Sequence, residues 1–127
     1  MYKKVLFALV LFGTITTLLA ACAIVDTSNM PVGPSAHMGA SSFIQTSITL
    51  HKGDMLNLVD DVSAPHQITN GSWVNGTQKP AKESGAPTVN VSFNGNDSSA
   101  VGPFTTAGTF HLYCTIHLGM NLTVIVQ

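Results

Sequence analysis

The chain has no arginine, and its only cations are Lys3, Lys4, Lys52, Lys79 and Lys82 beside five histidines. Charged residues make up 9% of the 127 positions, and no run of like charge exists. Neutralising a phosphate backbone takes clustered Lys and Arg, so nucleic-acid binding is excluded. A long acidic or basic tail is excluded by the same scarcity. Cysteine is limited to Cys22 and Cys114, so a core of this size must hold itself together without a disulfide framework. No internal repeat is present, and beyond the first residues no segment carries a convincing helical period.

What is present begins with a leader. Lys3 and Lys4 precede the unbroken apolar stretch from Val5 to Phe12, and the segment ends in Leu19-Ala20-Ala21-Cys22. A basic start, a short apolar core and small residues before a cut mark a secretory signal. Most of the mean hydropathy of +0.32 comes from these first 21 residues. The ending resembles a bacterial lipobox, in which Cys22 is lipidated and becomes the new N-terminus. The other reading is an uncleaved anchor, because residues 5–21 are nearly long enough to span a membrane. Either reading puts the folded part outside the cytoplasmic membrane. Without the leader, three lysines face six acids, a net charge of −3.

Two cysteines in an exported chain point first to one disulfide. If Cys22 carries lipid, Cys114 is a lone thiol in an oxidising compartment. Such a thiol oxidises unless it is buried or bound.

Three segments follow from composition: a leader at 1–21, a Pro- and Gly-containing tether at 22–36, and a domain at 37–127. In the domain, Phe43–Leu50 alternates with one more apolar face, and Met55–Val59 follows the Lys52-Gly53-Asp54 turn. His66–Thr69 reads as a short strand, with Ile68 on the face of His66. Residues 70–87 are rich in Gly, Asn, Ser and Pro and read as a long loop that contains Trp73, with room for a helical turn. Thr88–Phe93, a weak edge strand at Ser98–Phe104, Thr109–Cys114 and Met120–Val126 complete the set. Asn94-Gly95-Asn96-Asp97 is the strongest turn between them. About seven short strands at close spacing predict an all-β antiparallel sandwich or barrel.

The chemistry lies at the last turn. Cys114, His117 and Met120 put a thiolate, an imidazole and a thioether within seven residues. By strand parity, Cys114 faces the way Phe110 and Leu112 face, and Met120 the way Leu122 and Val124 face, toward the core. His117 sits between them on a turn tightened by Gly119. His66, preceded by Pro65, brings a second imidazole. Taken singly, each is an ordinary core residue. Two imidazoles and a thiolate in a plane, with a weak axial thioether, form a blue-copper electron-transfer site. A structural zinc site takes four N, S or O donors and does not use Met. His51 and His111 are placed off the site, His111 sharing an outward face with Tyr113. The pair His37-Met38 could at most hold Cu(I) loosely.

On His66, Cys114, His117 and Met120 the sequence resembles the type I copper proteins, the cupredoxins of plastocyanin and amicyanin type. Gly108-Thr109-Phe110-His111-Leu112-Tyr113-Cys114 is similar to the Gly-x-Tyr/Phe-x-x-x-Cys strand of that family, and the Cys-x2-His-x2-Met spacing matches its short amicyanin loop. The resemblance spans residues 43–127. It departs at Gln67, where many members carry an Asn that braces the copper loop, and in the length of the 70–87 segment. It implies a cupredoxin-like Greek-key β-sandwich or barrel of about seven to eight strands, with one copper on His66, Cys114, His117 and Met120. It also implies transient docking of a redox donor and acceptor near His117, bordered by Pro65, Leu118 and Gly119.

The expectation is therefore a monomeric electron carrier, not an enzyme, tethered through lipid on Cys22 to the outer face of a bacterial cytoplasmic membrane. The alternative is an extracytoplasmic copper-binding protein for storage, delivery or tolerance, which would want an exposed, Met-rich Cu(I) site. Multicopper oxidases need several such domains, and a binuclear centre needs two bridging cysteines. This chain has room for one domain and only Cys114 to offer.

Overall fold

Short alternating runs of apolar and β-branched residues, cut by turn residues, leave the domain little to form but strands. The computed structural model describes residues 33–127 and carries nine strands there with no helix. The leader, Cys22 and the tether up to residue 32 lie outside the described residues. The strands are β1 (Ser35–Met38), β2 (Ser47–Leu50), β3 (Leu56–Asp60), β4 (His66–Val74), β5 (Thr77–Pro80), β6 (Asn90–Phe93), β7 (Ser98–Val101), β8 (Gly108–Cys114) and β9 (Asn121–Val126).

They build two sheets. One has the order β1-β3-β7, and the other β2-β9-β8-β4-β5, with β6 paired to β4 as well. Alternate residues of both sheets point into one core: Ala36, Met38, Leu56 and Leu58 from the first, and Leu50, Ile68, Phe93, Phe110, Leu112, Leu122, Val124 and Val126 from the second. Each large apolar side chain so buried contributes about 1.5–3 kcal/mol. The result is the predicted β-sandwich, with two differences in pairing. β1 runs parallel to β3, and β2 parallel to β9, where an all-antiparallel arrangement was expected. Neither pair is joined by a tight turn, so hairpin signals in the sequence say nothing about it.

Strand β1 also moves the domain boundary. Ser35 and Ala36, inside the 22–36 segment that reads as tether, belong to a strand, and Ala36 and Met38 are fully buried. The small polar residues around them mask a two-residue period that fills the edge of β3. Met38 is therefore a core side chain, and the His37 ring lies 2.7 Å from Asp61, so the pair is no loose copper site. The Phe43–Leu50 run forms a strand only from Ser47, while Phe43 makes an isolated bridge with Met38.

The largest difference lies in 70–87. Instead of a long loop, β4 continues to Val74 and returns as β5 around Asn75-Gly76, whose φ angles are both positive, at 50° and 75°. Positive φ at both central residues is what a two-residue type I′ hairpin demands, and Asn-Gly is its favoured pair. Gly71 lets the hairpin close. Its φ is 124°, and a Cβ there would meet the Lys79 carbonyl oxygen at 2.4 Å. Beyond Gly71 the hairpin leans over the outward side of β8, where Trp73 packs edge-on against Tyr113. Tyr113 is thus buried, while His111 remains half-exposed beside Glu83 at 2.6 Å.

Candidate metal centre

The pairing of β4 with β8 sets Ile68 opposite Cys114. His66 lies two residues before Ile68 on the same inward face, so it is a diagonal neighbour of Cys114, within reach of a long side chain. Its other edge is covered by Phe93 of β6. At the mouth of β8 the chain turns through Thr115-Ile116-His117-Leu118-Gly119 into β9. Met120 closes this turn with its backbone: its carbonyl accepts from the Cys114 amide at 3.0 Å, and its amide donates to the His117 carbonyl at 3.2 Å. Gly119 takes φ 76° there, as the tight turn requires.

Three donor atoms converge. Cys114 Sγ lies 3.8 Å from His66 Nδ1 and 3.5 Å from His117 Nδ1, and all three fall within 4.8 Å of one another. An ion bonded to a thiolate at about 2.3 Å and to an imidazole at about 2.0 Å holds those donors about 3.5–3.7 Å apart at angles between tetrahedral and trigonal. The observed spacings fit such an ion. The set of two imidazoles and one thiolate is also the donor chemistry that suits copper in a trigonal plane. Cys114 and His66 are buried, and His117 is half-buried. Met120 is buried too, three residues after the loop histidine. Among the described residues, His37, His51 and His111 pair instead with Asp61, Asp54 and Glu83.

Residues that were not singled out in the sequence complete the surroundings. Asp60, the last residue of β3, is buried with its Oδ1 3.7 Å from His66 Nε2. That distance is beyond a hydrogen bond, and both Asp60 Oδ2 and His66 Nε2 are buried without a partner. The carboxylate still favours the ring tautomer with its proton on Nε2, which leaves the Nδ1 lone pair facing Cys114. Parity carried the signal: Leu56, Leu58 and Asp60 share one face, and ending the strand at Val59 concealed it. Gln67 does not brace the loop with its side chain. Its amide nitrogen donates to Asn90 Oδ1 at 2.6 Å and its amide oxygen accepts from Ser92, both on β6, while its carbonyl accepts from the Thr115 amide at 2.9 Å. Bracing passes to the hairpin, through Trp73 and Gln78.

Burial pushes the pKa of His66 below its ordinary 6.5; nearby His117 lowers it further, and Asp60 opposes the shift. An imidazole must be neutral to hold a metal, and this environment favours the neutral form. The sign for stability follows. As pH falls below about 6.5, the unfolded chain takes up this proton before the folded one does, so the metal-free protein loses stability. Above that pH neither state holds the proton, and the contribution vanishes. Denaturation midpoints measured at about pH 7.5 and about pH 5 should fall more in the wild type than in His66→Gln. Equal falls would exclude His66 as the group responsible.

No family model and no curated protein matches this chain. Solved structures do. Amicyanin from Paracoccus versutus is 18% identical with a TM-score of 0.58, over 78% of this chain and 86% of the other. A purple cupredoxin from Nitrosopumilus maritimus is 21% identical with a TM-score of 0.53, over 74% of this chain and 99% of the other. Identities this low speak for the fold alone. The chain has the cupredoxin β-sandwich fold.

Proposed function

We propose that this protein is a mononuclear copper electron carrier, holding one copper on His66, Cys114, His117 and Met120. The observation that carries this reading is the convergence of Cys114 Sγ, His66 Nδ1 and His117 Nδ1 within 4.8 Å on a cupredoxin scaffold. Copper bound there supplies one-electron exchange between Cu(I) and Cu(II). The chain's own residues do the rest. Cys114 and His66 hold their donor atoms inside the core, so their positions are set by packing and not by the metal. Met120 would offer the copper a soft, weak thioether donor from the same buried layer. His117 brings its ring to the surface between Ile116, 53% exposed, and Leu118, 71% exposed. An apolar rim around a half-exposed ligand suits brief contact with a redox donor or acceptor. Burial of three of the four donors favours a retained metal over an exchangeable one, which supports the carrier over storage or delivery. No group for substrate chemistry is needed in this reading.

The absorption spectrum of the copper-loaded, oxidised protein tests it. Intense thiolate-to-Cu(II) absorption is expected in the wild type and in His111→Ala. It should vanish in Cys114→Ser, where the charge-transfer donor is gone. A colourless copper-loaded wild type would sink the proposal.

Met120 adds a second expectation. Met120→Leu keeps the apolar wall, so the fold should lose less than about 1.5 kcal/mol. Copper should stay bound and blue with a raised reduction potential, because Cu(II) loses a donor. Met120→Gln should lower the potential, since an amide oxygen is a harder ligand. Voltammetry on both variants reads the sign, and two unchanged potentials would make Met120 a packing residue only.

The tether is part of the same proposal. Leu19-Ala20-Ala21-Cys22 supports a lipid on Cys22 that holds the domain at the outer face of a bacterial membrane. Cys22→Ser should then move the protein from the membrane fraction to the soluble one. Unchanged membrane retention would favour the uncleaved anchor.

A further inference from the structure

The ligand loop has little of its own to hold it. Ile116 and Leu118 are exposed, so burial does not fix residues 115–119. On its inner side the loop is tied by the Thr115 amide to the Gln67 carbonyl at 2.9 Å and by the turn bond between Met120 and His117. On its outer side stands the β4–β5 hairpin, whose hydrogen bonds there fall on Tyr113, Cys114, Thr115 and Asn121, at the two ends of the loop. The Trp73 indole Nε1 donates to the Cys114 carbonyl at 2.8 Å. Gln78 Nε2 donates to the Thr115 carbonyl at 3.2 Å, and its amide oxygen accepts from the Tyr113 hydroxyl at 3.3 Å. The other stem is held as well. Asn121, the residue after Met120, accepts from the Trp73 amide at 2.7 Å and donates to the Trp73 carbonyl at 3.1 Å.

We propose that the β4–β5 hairpin is a clamp across both stems of the ligand loop, with Trp73 and Gln78 as positioning residues that hold the Cys114 and Thr115 carbonyls in place before any metal arrives. The geometry needs each part. Asn121 takes both polar groups of the Trp73 backbone, so the indole is anchored to the far stem while its N–H grips the near one. Gly71 permits the close return of β5, and the edge-on Tyr113 ring fills the space beneath Trp73. Together these bonds close a ring around residues 114–121 that passes through the hairpin. A donor set held from outside keeps its spacing whatever the metal's charge, the condition for fast one-electron exchange. That consequence rests on the electron-carrier reading; the clamp itself does not.

The test therefore begins without copper. Trp73→Phe keeps an aromatic ring against Tyr113 and deletes the indole N–H, at the cost of some ring volume. Native-state amide exchange in the metal-free protein should speed about fivefold at Cys114, Thr115 and Met120, the change expected from losing one hydrogen bond. Asn57 and Asp60, whose amides bond to Pro34 and Asp97 beside the other sheet, should not change. Gln78→Ala, on an exposed strand, should speed exchange at Thr115 alone. Unchanged exchange at the loop would overturn the clamp, and so would equal acceleration at Asn57 and Asp60, which signals global destabilisation. In the copper-loaded Trp73→Phe protein the colour should persist while electron self-exchange slows severalfold. Unaltered self-exchange beside a loosened loop would overturn the role in electron transfer and leave the clamp standing, whereas a colourless wild type would remove the copper reading alone.

Discussion

One register decides this protein: Ile68 of β4 opposite Cys114 of β8. Side chains alternate along both strands, so that register puts His66, Ile68, Leu112 and Cys114 on the same inward face. It also makes an imidazole and a cysteine sulfur from positions 48 residues apart diagonal neighbours, with their donor atoms 3.8 Å apart. A slip of one residue would turn His66 or Cys114 to the other face of the sheet, and the buried apolar set would go with it. Hydrophobic burial therefore enforces the site. The strong preference of Leu112, Leu122 and Ile68 for the core aligns the donor atoms of His66 and Cys114.

That enforcement carries a cost at the same end of the molecule. A thiol, an imidazole and a carboxylate are taken out of water with few partners, and Asp60 Oδ2 and His66 Nε2 remain unpaired. An unsatisfied buried polar atom costs about 1–3 kcal/mol, which the surrounding core must offset. In an apolar interior the two groups act on each other at 3.7 Å, and the Asp60 carboxylate favours the tautomer with its proton on Nε2. The lone pair left on Nδ1 is then aimed where Cys114 Sγ and His117 Nδ1 already point. Local instability concentrated at a site is common where function requires a group to be ready for a ligand. Here it falls on His66, one of the three side chains that distance alone picks out, and on Asp60 behind it.

Much of this was legible in the sequence, and what was not has identifiable causes. Alternation from Thr109 to Cys114 and from Met120 to Val126 needs only neighbouring residues, and both strands form within one residue of those bounds. The hairpin at 70–80 carried a local signal too, Asn75-Gly76 between Val74 and Thr77, but the small polar residues around it read as loop. Trp73 could not have been tied to Cys114, because that bond spans 41 residues and depends on the bend that Gly71 allows. Gln67 shows the opposite case. Its place after His66 suggests a brace on the loop, yet β6 lies nearer and takes its side chain.

By itself the sequence determined the things that period and spacing decide: strands rather than helices, the inward parity of Cys114 and Met120, and a thiolate, imidazole and thioether closely spaced on one turn. These are local properties, settled by backbone geometry over a few residues. Only the tertiary structure decided which strands pair in parallel, that Ser35 and Ala36 belong to the domain, that Asp60 stands behind His66, and that a hairpin spans the ligand loop. Those arrangements depend on free sheet edges and on where the chain bends back on itself. Such choices are made by the whole core at once, and no window of neighbouring residues contains them.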